Sequence, residues 1–86
     1  MYFAYMVRCN DNSLYSGYTK GDSPRKRVDA HNGGAASKYT RTRLPVKLVY
    51  YEEFESKSEA MKRECAFKKL NKAQKEKLVE AFETSD

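Results

Sequence analysis

Glu64 is the residue in this sequence whose position most asks for a chemical reason. It lies in SEAMKRECAFKKL, a helix-like stretch, and at 100° per residue it falls among Ala60, Met61, Cys65 and Phe67. An ionised carboxylate on an apolar stripe is costly unless it is paired or bound to a metal. Two partners are open to it. Lys68, at i+4, could form a partly exposed ion pair. A single hydrated Mg²⁺ is equally physical, because magnesium often takes one or two protein carboxylates and fills its other positions with water and phosphate oxygens.

Two tyrosines and an arginine–histidine pair could complete such a site. Tyr5 and Tyr15 lie in successive strand-like segments, and an odd number of loop residues between the strands would put both phenols on one face. Gly17 follows shortly after Tyr15, and a glycine inside a strand is costly unless a backbone, side chain or ligand must approach closely there. Arg27 and His31 are spaced i, i+4, so one helix face would carry a guanidinium able to reach a phosphate with an imidazole beside it. Each piece also has a plainer explanation. Tyrosines favour strands, glycine marks bulges, and a histidine near a helix C-terminus is well placed against the helix dipole.

The elements that must position these residues follow from local signals. YFAYMVR and LYSGYT are strand-like and NDNS between them supplies turn formers, so residues 2 to 19 read as a β-hairpin. Ser23-Pro24 starts a short basic helix over residues 24 to 32, and Asn32-Gly33 stops it. GGAASKYTRTRLP reads as a loop and VKLVYYEEF as a third strand. Ser56-x-x-Glu59 is a capping box opening the helix that bears Glu64. Asn71-x-x-Gln74 caps a final amphipathic helix packing through Leu78, Val79 and Phe82. The order ββαβαα predicts an α+β fold, one small sheet covered by helices.

Length and composition set the frame around these elements. With 86 residues and 40% hydrophobic side chains, the chain suits a single domain, residues 1 to 86, with one modest core. Its longest apolar run, MYFAYMV, is closed by Arg8, too short for a membrane span and without the features of a signal peptide. A cytoplasmic protein with no membrane contact is expected. Cys9 and Cys65 have no C-x-x-C or His-rich spacing, which predicts buried, reduced thiols and leaves oxygen ligands for any metal.

Charge is distributed unevenly. Residues 1 to 51 carry nine Lys/Arg against three Asp, net +6, whereas residues 52 to 86 carry eight Lys/Arg against nine Asp/Glu, net −1. The basic half holds Lys20, Arg25, Lys26 and Arg27 in one group and Lys38, Arg41, Arg43 and Lys47 in another. Tyr18 and Tyr39 lie near them as stacking platforms, a pattern that suits nucleic acid as the partner. A solvated basic face is the plainer alternative.

In order and approximate spacing, Phe3-Ala4-Tyr5, Tyr15-Ser16-Gly17, Arg27-x-x-x-His31 and a later helical Glu64 resemble the GIY-YIG nuclease domain, over roughly residues 2 to 70. The KYTR and REC-x-x-KKL stretches extend the likeness to small stand-alone GIY-YIG proteins. The resemblance implies a three-stranded antiparallel sheet flanked by helices, and divalent-metal-dependent hydrolysis of phosphodiester bonds in DNA. It implies Tyr5 and Tyr15 as the motif tyrosines, Arg27 as the phosphate-binding arginine, His31 at a position held by His or Tyr, and Glu64 as ligand to one Mg²⁺ or Mn²⁺. Gly17 matches the motif glycine and is placed at the nucleic-acid surface with Lys20, Arg25, Lys26, Lys38, Tyr39, Arg41 and Arg43. Glu64 would then face the sheet on the side that bears both phenols. There are departures too. Phe3 and Ala4 replace the glycine and isoleucine of the first triplet, and Tyr18 follows Gly17 where some relatives have lysine. The asparagine that many members carry about a dozen residues beyond the glutamate is Glu76 here.

Three functions compete on these readings: a metal-dependent endonuclease-like domain, a nucleic-acid-binding module of the same fold with little or no turnover, and a basic α+β domain for a protein partner. Only the first requires Tyr5, Tyr15, Arg27 and Glu64 to converge.

Overall fold

Tyr2–Arg8 and Leu14–Lys20 form strands β1 and β2 of a hairpin in the computed structural model, which describes residues 1–84. Between them Asp11 organises the turn, its Oδ1 accepting the Ser13 N–H at 3.0 Å, while Asn12 takes up a positive φ of 71°. The connection runs over residues 9 to 13, an odd count, and the register sets Tyr5 opposite Gly17 and Val7 opposite Tyr15. Alternation along each strand then puts both phenols on one face, as the loop parity predicts. A third strand, β3 (Lys47–Phe54), pairs antiparallel with β1, so the order across the sheet is β2-β1-β3. The α+β architecture with a three-stranded antiparallel sheet is the expected one.

Helices cover both faces of the sheet. On one face Ala4, Met6, Leu14 and Val49 pack against Phe67 of α3 (Lys57–Lys69) and Val79 of α4 (Lys72–Thr84). On the other, Tyr5, Val7 and Cys9 pack with Val46 and with Val28 of α1 (Arg25–Asn32). The caps read from sequence are present. Ser56 Oγ accepts the Glu59 N–H at 3.2 Å, and Asn71 and Gln74 cap each other reciprocally at 2.8 and 3.0 Å. Phe82 sets its ring against Tyr50 and Tyr51, with centroids 5.2 Å away in each case, and so joins Leu78 and Val79 in docking α4.

Two expectations need correction. The stretch expected as a loop contains a short helix, α2 (Lys38–Arg41), capped by Ser37, whose Oγ accepts the Tyr39 N–H at 3.1 Å. One turn of helix is too short to show a hydrophobic period, so the cap was its one sequence signal. The second concerns the thiols: both are free, but only Cys9 is buried and Cys65 is exposed. With Phe67 turned into the core, a residue two positions earlier lies about 200° away around the helix. Cys65 therefore faces outward together with Met61, which is 40% exposed, and the apolar stripe imagined around Glu64 is split.

Arg8 and Glu76 join β1 to α4 through paired hydrogen bonds of 2.8 and 2.6 Å, and Lys72 approaches Glu76 at 3.2 Å. The Arg8 hydrogen bonds are the main reason that Glu76 is held down to about 2, against an ordinary value of 4.5. A depressed carboxylate stabilises the fold fully above its ordinary value and loses that contribution as pH falls through its folded value. Because both side chains are about a third exposed, solvent screening reduces the effect to roughly 1 kcal/mol. Glu76→Gln should accordingly melt below the wild type at pH 6, with the two curves converging near pH 2. An equal difference in melting temperature at both pH values would show that the pair contributes nothing.

Candidate active site

The space around Gly17 is taken by Tyr5. A Cβ on Gly17 would lie 2.6 Å from the Tyr5 Oη and 2.7 Å from its Cζ, so the close approach that this strand glycine permits is that of the cross-strand phenol. The Tyr5 hydroxyl reaches His31 Nε2 at 2.8 Å, and His31 Nδ1 meets Thr40 Oγ1 at 2.8 Å. These three side chains come from β1, α1 and α2, and none is more than 1% exposed. Tyr15 approaches His31 edge-on, with ring centroids 5.5 Å apart, and stacks on Tyr39 at 5.6 Å.

Arg27 stands one turn before His31 on α1. Its Nη2 donates to the Ala36 carbonyl at 3.4 Å, while its buried Nε has no acceptor among the described residues. A guanidinium with a donor to spare suits an anionic oxygen. Burial pushes Tyr5 up to about 12, with Arg27 opposing the rise and the nearby Tyr15 and Glu64 adding to it. Burial, followed by the positive charge of Arg27, holds His31 below the ordinary imidazole value. At neutral pH the phenol keeps its proton and the imidazole is uncharged.

Glu64 arrives from the other side of the sheet. Its helix packs through Phe67 on the face of Ala4 and Met6, whereas both phenols lie on the face covered by α1. The expectation that Glu64 faces the sheet on the phenol side is thus corrected. The groups meet because β2 is an edge strand: Tyr5, Tyr15, Gly17, Arg27 and Glu64 line one cavity of about 310 Å³, which Tyr18 and Thr19 complete. A side chain from α3 can reach past that edge.

The Glu64 carboxylate is 16% exposed and has Lys68 Nζ at 3.8 Å, so the ion pair anticipated from the sequence does form. It is long, and Lys68 is 55% exposed, which limits the pair to at most about 0.5 kcal/mol. Oxygen lone pairs remain for a cation. Among the described residues no three His, Cys, Asp or Glu gather as a metal cluster, so an ion here would have one protein carboxylate with water and phosphate oxygens, which suits Mg²⁺.

The remaining basic residues divide into two sets. Lys20, Arg25, Lys26, Lys38 and Arg41 are exposed, Lys20 with its Nζ 5.9 Å from the Tyr2 ring. Arg43 instead pairs with Asp11 at 2.9 Å, donates to the Tyr39 carbonyl at 2.8 Å and lies 3.9 Å over the Tyr39 ring. Arg43 and Tyr39 tie α2 to the hairpin turn. Sequence reasoning did not find Thr40. The signal for it was Ser37 as a helix cap, which would have turned KYTR from a loop into a rigid turn.

A profile of the GIY-YIG catalytic domain matches residues 1–77. The chain belongs to the GIY-YIG family. It is similar to a UPF0213 protein of Listeria welshimeri, 49% identical over 86 residues, spanning 99% of this chain and 93% of that one. One from Staphylococcus haemolyticus is 51% identical over 79 residues, spanning 92% and 94%. The solution NMR structures of a UPF0213 protein from Bacillus halodurans and of a protein from E. faecalis superpose with TM-scores of 0.58 and 0.59, at 41% and 43% identity. They cover 93% and 95% of this chain and 84% and 85% of their own. GIY-YIG nucleases typically use a divalent metal. Within that pattern Glu76, at the position where many GIY-YIG members have asparagine, is committed to Arg8 and Lys72.

The packing of Tyr5 on Gly17 yields a direct test. Gly17→Ala cannot be accommodated without moving the Tyr5 ring, so it should cost about 1–3 kcal/mol, as overpacking of a filled core does. The His31 imidazole resonances should shift as the Tyr5 hydrogen bond breaks. Unchanged denaturant midpoint and unchanged His31 resonances would refute the close approach.

Proposed function

We propose that this protein is a divalent-metal-dependent endonuclease-like enzyme hydrolysing phosphodiester bonds in DNA, in the cytoplasm. The observation that carries this reading is the convergence of Tyr5, Tyr15, Arg27 and Glu64 on one cavity, which neither a binding module nor a protein-interaction domain requires. Arg27, which lines the cavity, would hold the scissile phosphate. Glu64 would hold Mg²⁺ or Mn²⁺, which when bound supplies stabilisation for charge developing on the leaving oxygen. Tyr5 and Tyr15 line the side from which water would attack. Arg25 and Lys26 on α1, with Lys38 and Arg41 on α2, would take the flanking phosphates.

A second reading, nucleic-acid binding with little or no turnover, draws support from Glu76. At the position of the family's common asparagine stands Glu76, a carboxylate tied to Arg8 that does not line the cavity.

Glu64→Gln should abolish Mg²⁺-dependent cleavage of flapped, branched or duplex DNA. In chelator its thermal stability should equal or exceed that of the wild type, because an anion is removed from a poorly solvated place at nearly constant volume. A fall of up to about 0.5 kcal/mol would assign Glu64 to a structural pair with Lys68 instead. Cleavage that survives the substitution would remove Glu64 from the mechanism, and a wild type that binds DNA without cutting it would establish the second reading.

DNA binding itself should weaken steeply with salt. Replacing Arg25, Lys26, Lys38 and Arg41 by alanine should lower the slope of log K against log salt by about 0.9 for each phosphate no longer neutralised. Fluorescence anisotropy over a salt series measures it, and an unchanged slope would place phosphate binding on another surface.

A further inference from the structure

We propose that Thr40 is a positioning residue: its hydroxyl holds the neutral His31 in the Nδ1–H tautomer, so that Nε2 accepts the Tyr5 proton while Tyr5 takes one from the attacking water. The catalytic half rests on the nuclease reading; the hold of Thr40 on His31 does not.

The direction of the hydrogen bonds follows from counting donors. The single hydroxyl hydrogen of Thr40 points to the Ser37 carbonyl at 3.4 Å, which leaves Oγ1 to accept from His31 Nδ1. His31 Nε2 then presents a lone pair to the Tyr5 hydroxyl at 2.8 Å. The opposite direction would have Nε2–H donating to Tyr5 and would turn the phenol hydrogen away from it. Arg27, which lines the same cavity as Tyr5, carries donors alone and could not take that hydrogen. Thr40 is held rigidly for this purpose. The Ser37 cap opens α2, and Arg43, anchored on Asp11, grips the Tyr39 carbonyl.

The proton transfers balance. As the water oxygen bonds to phosphorus, the water proton passes to Tyr5 Oη and the phenol's own proton passes to His31 Nε2. The bond from phosphorus to the leaving oxygen breaks, and its electron pair stays on that oxygen. Tyr5 begins and ends as a neutral phenol, so no phenolate is needed, in keeping with a group held near 12. His31 ends as imidazolium and returns its proton through solvent to the leaving oxygen. The charge of Arg27, which opposes that imidazolium in the free protein, is offset when Arg27 holds a phosphate.

His31 is the sole histidine, so its imidazole nitrogens can be read by ¹⁵N-detected NMR without ambiguity. In the wild type Nδ1 should show the protonated and Nε2 the unprotonated signature. Thr40→Val keeps the shape and removes the hydroxyl; it should give mixed tautomers and lower kcat by about 10- to 100-fold, up to the lower bound usual for proton-transfer catalysis, with KM unchanged. Thr40→Ser should restore both. A wild type found in the Nε2–H form would overturn the proposal whether or not the valine variant folds, as would a folded Thr40→Val with the wild-type tautomer and rate. A wild type with the expected tautomer that cleaves no DNA would overturn the nuclease reading and the catalytic half, leaving the hold of Thr40 on His31 confirmed.

Discussion

The Tyr5 ring occupies the room that Gly17 leaves by having no side chain, and ends in a hydrogen bond to His31. A buried phenol, imidazole or hydroxyl without a partner costs about 1–3 kcal/mol. Tyr5, His31 and Thr40 are each satisfied by the next, and they come from three elements, so the hairpin, α1 and α2 find their places together. The constraint also acts on strand register. Slipping β2 against β1 by one residue would bring a side chain opposite Tyr5 and turn Tyr15 to the other face.

The cavity is placed where it is because β2 lies at the edge of the sheet. The phenols, Arg27 and His31 are provided from the α1 face, and Glu64 is provided from a helix on the opposite face. Had another strand followed β2, the sheet would separate carboxylate from phenol. The same geometry explains why the Lys68 pair and a metal-binding role are compatible. Lys68, 3.8 Å from Glu64 and 55% exposed, does not line the cavity that Glu64 lines.

What could be read from the sequence was whatever depends on local chemistry. The odd count of residues 9 to 13 between the strands set Tyr5 and Tyr15 on one face, the Ser56 and Asn71 caps marked the starts of α3 and α4, and the strand glycine pointed to a close approach. Features that depend on how elements pack were not legible. Nothing local told that α3 covers the face away from the phenols, so Glu64 was expected on the wrong side and Cys65 in the core. A helix of four residues hid in a glycine-started, polar stretch, and with it Thr40. Arg43 and Tyr39 looked like free binding groups because their partners, Asp11 for Arg43 and the Tyr15 ring for Tyr39, lie far away in sequence.

The central claim is that a cation bound by this protein sits at Glu64 beside Tyr5 and Arg27. Titration with Mn²⁺, followed by paramagnetic broadening of backbone amide resonances, locates the ion without reference to any activity. Broadening should centre on residues 5, 15, 17, 27 and 64 at low Mn²⁺, and Glu64→Gln should abolish it. Broadening centred on the acidic residues of α4, Glu76, Glu80 and Glu83, and unaffected by Glu64→Gln, would contradict the site.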